Sequence, residues 1–110
     1  MVDISEKDHV YREATATGFI RLDHETVQKI ENDEIPKGNV NSVARTAGIM
    51  AVKNTPQLVP LTHPIPITGV DVDIDLKKEG VRVEVSVKSE GQTGVEMEAL
   101  SGVSAVLLTI

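Results

Sequence analysis

The chain has 110 residues, 40% of them hydrophobic but with one Phe, one Tyr and no Trp, and a formal charge of -6. That length fits one domain with an aliphatic core, and the acidic, aromatic-poor composition argues against a base-stacking platform or non-specific attraction to nucleic acid or an anionic membrane. The absence of cysteine excludes disulfides, thiolate metal sites and a cysteine nucleophile, leaving His and carboxylates as metal ligands.

The opening Met1-Val2-Asp3-Ile4-Ser5-Glu6-Lys7 lacks the basic-then-apolar order of a signal peptide. No apolar run reaches membrane-spanning length, so a soluble cytoplasmic protein is expected. Residues 11–21 read as a strand from their Thr content and weak Ala14/Ala16 alternation. Asp23 is a candidate N-cap for a helix running to about Asp33 with Val27 and Ile30 inward, and Pro36-Lys37-Gly38 then breaks the chain. Asn39 or Asn41 caps a second helix that continues through Val43, Ala47, Met50 and Ala51 to about Asn54. Thr55-Pro56 reads as the N-cap and first position of a short helical turn. Pro60, Pro64 and Pro66 forbid a helix and impose a stiff, extended segment around His63.

Val70 to Leu76 alternates apolar and polar residues, and Val81 to Lys88 alternates again after the turn Lys77-Lys78-Glu79-Gly80, which predicts a hairpin with one aliphatic face. Asp71, Asp73 and Asp75 lie on its other face. They lack the glycine turn and closing carboxylate of a calcium loop, and a solvated face with Arg82 or Lys88 as cross-strand partners is expected.

In the last segment, Thr93 followed by Glu96 has capping-box spacing, with the helix to follow. Glu98 lies about 200° further round, so one of the two carboxylates is not needed by the cap and is free for a site. Leu100, Val103, Val106, Leu107 and Ile110 follow with small residues between them, a composition that packs on several faces. The sequence ends inside this apolar helix without a Gly cap or a basic last turn, and is expected to be C-terminally shortened. The order strand, helix, helix, strand, strand, helix predicts one α+β domain over residues 1–110, a sandwich of an antiparallel sheet with helices on one face.

Among residues that could carry chemistry, His63 reads equally as a packed loop histidine or as a general acid/base. Lys37 stands just ahead of a helix N-terminus, where anions are favoured, though an exposed loop lysine is the simpler account. Arg45 and Lys53, about 80° apart on one helix, add the best local positive charge for a phosphate, and surface solubility explains them almost as well. Gly91 and Gly94 would let backbone approach a ligand, but a strand-to-helix turn also uses glycine.

Longer motifs narrow this. Gly38-Asn39-Val40 leading to Ala44-Arg45-Thr46-Ala47-Gly48-Ile49-Met50-Ala51, then Leu58-Val59-Pro60-Leu61-Thr62-His63-Pro64, then Gly91-Gln92-Thr93-Gly94-Val95-Glu96-Met97-Glu98-Ala99-Leu100 resemble, in order and spacing, the molybdenum cofactor biosynthesis protein C family. The opening segment and Arg12-Glu13-Ala14 extend the resemblance over the whole chain. That family is the cyclic pyranopterin monophosphate synthase. The resemblance implies a ferredoxin-like subunit, dimers assembling into a hexamer with active sites at the dimer interface, and a substrate supplied by an upstream radical GTP cyclase. It also implies conversion of 3′,8-cyclo-7,8-dihydro-GTP to cyclic pyranopterin monophosphate and pyrophosphate without a redox cofactor. Magnesium would suit the pyrophosphate, but the sequence holds no dedicated metal motif. Matched by position, Lys37, His63, Glu96 and Glu98 take the catalytic places, with Arg12, Arg45, Lys53, Thr62 and Met97 as substrate contacts. Thr62 replaces a cysteine common in the family. Members also continue past Thr109-Ile110 into a Tyr-Asp-Met-Cys-Lys-like stretch with a catalytic aspartate and lysine and a closing strand. Besides the synthase, the sequence therefore allows a catalytically incomplete nucleotide- or pterin-binding subunit of the family, and an unrelated small α+β binding domain only if the motif matches are accidental.

Overall fold

Four valines in strict alternation organise the domain. In the computed structural model, which describes residues 10–91 and 93–110, Val81, Val83, Val85 and Val87 of strand β3 (Gly80–Gly91) are fully buried on one face. Such burial stabilises by on the order of 1.5–3 kcal/mol per side chain before chain entropy is subtracted. The opening seven residues and Gln92 of the motifs lie outside the described residues.

β3 is central. It pairs antiparallel with β1 (Val10–Arg21) and with β2 (Ile67–Lys77), giving the order β1-β3-β2. This is the order of the first three strands of a ferredoxin-like sheet. The register sets Ala14, Ala16 and Ile20 on one side, and Val70, Val72, Ile74 and Leu76 on the other, opposite the buried valines. Helices α1 (His24–Glu31), α2 (Val40–Lys53), α3 (Thr55–Leu58) and α4 (Glu96–Thr109) complete the chain. Ile30, Ala44, Val52, Val95, Ala99, Val103 and Val106 from the helices and the loop before α4 join the valines in a single cluster. The expected α+β architecture is thus the observed one, and its interior is almost entirely aliphatic.

The opposite sheet face carries Asp71, Asp73 and Asp75, all exposed. Arg82 faces Asp75 in the register, yet the ion pairs run along strands, Lys77 to Asp75 at 2.8 Å and Arg82 to Glu84 at 3.8 Å. At this exposure they contribute little to stability.

Three local expectations need correction. α1 ends at Glu31, with Asn32 as C-cap and Asp33 in the left-handed region at φ 56°, so it stops two residues early. Thr55 is not an N-cap: it is buried and its hydroxyl donates to the carbonyls of Ala51 and Val52, tying α3 to the end of α2. Thr93 does not form a capping box, because α4 begins only at Glu96, with Val95 at the N-cap and no side-chain cap bond. Of the two candidate caps for α2, Asn39 serves, its Oδ1 accepting from the Ser42 N–H at 2.8 Å.

α2 and α4 run antiparallel and touch through glycines. A Cβ at Gly48 would stand 2.5 Å from Val106 Cγ2 and 3.4 Å from the Gly102 carbonyl, while one at Gly102 would stand 2.9 Å from Val52 Cγ2 and 3.0 Å from Val85 Cγ1. Val52, Val85 and Val106 are fully buried and cannot swing away. Gly48→Ala is therefore expected to destabilise by about 1–2 kcal/mol, overpacking outweighing the roughly 1 kcal/mol that alanine gains in a helix. Denaturant melts check this, and unchanged or raised stability would contradict the close crossing.

Candidate functional site

The N-terminal end of α4 meets the proline-rich loop, and the meeting forms a cleft of about 240 Å3 lined by Thr62, His63, Thr93, Gly94, Glu96, Met97 and Glu98, with Leu61 and Ile65. Each part has a local cause. Pro60, Pro64 and Pro66 stiffen the loop, and its turn is closed by the Thr62 N–H on the Val59 carbonyl at 3.1 Å and by the Thr62 hydroxyl on the same carbonyl at 2.8 Å. His63 is exposed, so it is not the packed loop histidine of the first reading, and its imidazole is accessible at the cleft.

Glu96 and Glu98 separate as their helical angle requires. Glu96 is exposed at the helix start, whereas Glu98 is 2% exposed. Both stand in the first turn of α4, where the exposed backbone N–H groups favour negative charge. A second cleft of about 220 Å3 adjoins the first, sharing His63, Ile65 and Thr93 and adding Gly91. Arg12 belongs to this end of the sheet: it pairs with Ser89 in the register, and its Nε donates to the Gly91 carbonyl at 3.5 Å.

The remaining nominated residues lie elsewhere. Lys37, beside Gly38 at φ 117°, lines a cavity of about 300 Å3 between the start of α2 and the far end of α4, with Thr109 and Ile110. α4 has 14 residues, so the two sites lie at opposite ends of a helix about 20 Å long. Arg45 donates to the Val72 carbonyl, bracing α2 against the edge strand β2. Lys53 is exposed at the end of α2, beside α3, and lines neither cleft. The positive cluster expected of Lys37, Arg45 and Lys53 does not form within one chain.

Sequence reasoning did not single out Ser89. It is fully buried, and its hydroxyl has no hydrogen-bond partner among the described residues. Its place among alternating valines was the available signal. Among the described residues, no three His, Asp or Glu side chains converge as a metal site, and no helix is long and apolar enough to cross a membrane.

A rigid loop and a helix N-terminus thus hold one imidazole and two carboxylates around a small cleft of an α+β domain, side-chain types that proton transfer uses. The chain belongs to the MoaC family, whose model matches residues 1–110. Archaeal relatives carry the name probable cyclic pyranopterin monophosphate synthase. The Archaeoglobus fulgidus protein is 58% identical over the whole of this chain and 70% of its own length. The Methanococcoides burtonii protein is 60% identical, with 69% of its length covered, and the Sulfurisphaera tokodaii protein 56% identical, with 73% covered.

Proposed function

We propose that the chain is a cyclic pyranopterin monophosphate synthase of molybdenum cofactor biosynthesis, a lyase acting on 3′,8-cyclo-7,8-dihydro-GTP. The observation that carries this reading is the convergence of His63 with Glu96 and Glu98, from motifs about 30 residues apart, on one cleft. Closing a cyclic monophosphate from a triphosphate requires a substrate hydroxyl to attack the phosphorus while pyrophosphate leaves. One group must take the hydroxyl proton, and further proton transfers accompany opening of the purine-derived ring. An imidazole and a carboxylate suit both tasks, and cations suit the departing phosphates.

Within one chain the cleft has a single neighbouring cation among those nominated, Arg12. Its volume of about 240 Å3 also falls below the roughly 300–1,000 Å3 usual for a small-molecule site. Both facts support a site completed by a second copy that brings its Lys37, within a dimer-based oligomer extending to a hexamer. The substrate would be supplied by a radical GTP cyclase in the cytoplasm. No ligands are assigned to magnesium.

The test is incubation of the purified chain with the cyclised dihydro-GTP, following pterin product and pyrophosphate together. Equimolar release of both is expected. Substrate binding without either product would overturn the catalytic reading in favour of a binding subunit of the family.

A further inference from the structure

We propose that Gly94 is a positioning residue for Glu96, its missing side chain being the space in which the Glu96 carboxylate lies. A Cβ built at Gly94 would stand 2.9 Å from Glu96 Cδ, 2.7 Å from Oε2 and closer still to Oε1, and these three are its nearest atoms. The carboxylate folds back from the first residue of α4 over the backbone two residues earlier. Both Gly94 and Glu96 line the cleft that holds His63. An exposed helix-start glutamate would otherwise sample several rotamers in solvent, and folding back over Gly94 keeps the carboxylate at the cleft wall.

Glycine at this position has no conformational explanation. Among the described glycines only Gly38 has a positive φ, so alanine fits the Gly94 backbone. Gly94 also differs from Gly80, where a Cβ would run into the Ile20 carbonyl, and from Gly48, where it would strike buried Val106. At Gly94 only the tip of a flexible, exposed side chain has to yield. Alanine there leaves the fold intact and evicts the carboxylate.

The inference rests on the reading that Glu96 acts in turnover, and the experiment separates the two. Gly94→Ala, Glu96→Gln, Glu96→Asp and the double variant Gly94→Ala/Glu96→Asp are compared in the full chain for melting temperature, kcat and KM with the cyclised dihydro-GTP. Gly94→Ala is expected to melt like wild type and to hold KM within about twofold, while kcat falls roughly 10- to 100-fold, the scale of an ångström-sized misplacement. Aspartate is one methylene shorter and clears the new Cβ, so Glu96→Asp should lower kcat in the native background but leave it unchanged or raise it in the Gly94→Ala background. Wild-type kcat in Gly94→Ala beside an inactive Glu96→Gln would overturn the inference alone. So would a parallel loss of melting temperature and kcat without aspartate rescue. Wild-type kcat in Glu96→Gln would overturn the role of Glu96 and this inference with it.

Discussion

Glu98→Gln is expected to lower turnover by about 10²- to 10⁴-fold, the usual contribution of a proton-transferring side chain, while the protein melts near the wild-type temperature. Glutamine keeps the shape of the side chain and removes its charge. At 2% exposure the packing of the side chain is what the fold depends on, and the attraction of its charge to the α4 N-terminus is worth only about 0.3–1 kcal/mol, up to ~2 in partly buried settings. The isosteric amide keeps that packing, so a loss of turnover without a loss of stability reports on function. Calorimetry and steady-state kinetics on the same preparation decide the matter. A variant with wild-type turnover would remove Glu98 from the chemistry. A melting temperature many degrees lower would make its carboxylate a structural anchor.

The hairpin was legible because its signal is local: Val70 to Leu76 and Val81 to Lys88 alternate, and a period of two allows only one face to be buried. The cap of α2 was legible only as Asn39 or Asn41, and the structure selects Asn39, whose partner Ser42 lies three residues on. The capping box at Thr93 failed although its spacing was right. The same three-residue interval spans Gly94, beside which the Glu96 carboxylate lies, and the helix starts only at Glu96 with no side-chain cap bond. Geometry within the helix also predicted that Glu96 and Glu98 would diverge, but which one turns inward depends on the sheet beneath α4. The glycine crossing of α2 and α4 was invisible for a related reason, since Gly48 and Gly102 have meaning only once Val52, Val85 and Val106 are packed around them. Arg45 had the charge for a phosphate, yet the carbonyl of Val72, 27 residues away, claims it.

Separation of Lys37 from the glutamates leads to the second large effect. Lys37→Ala and Glu98→Gln, each nearly inactive alone, are expected to recover activity when mixed and allowed to exchange subunits. Lys37 opens onto the cavity beside Thr109 and Ile110, while Glu98 lies in the first turn of the same helix, so one substrate cannot readily engage both residues of one chain. A two-fold dimer of the kind proposed would remove the conflict, because an isologous interface that sets the Lys37 end of one copy against the Glu98 end of the other does so twice. In a mixed dimer, both substitutions then fall in one site and the other site is wholly native. With random exchange at equal amounts, half the dimers are mixed and each holds one native site of two, so recovery should approach about a quarter of the wild-type rate. Native mass spectrometry verifies that mixed species form. Mixed dimers without recovered turnover would place both residues in a site within one chain, reached by a substrate spanning α4, whereas wild-type turnover in Lys37→Ala alone would remove Lys37 from the reaction. Recovery near a quarter would assign each site to two copies and explain why a single chain presents its acid–base groups and its lysine at opposite ends of one helix.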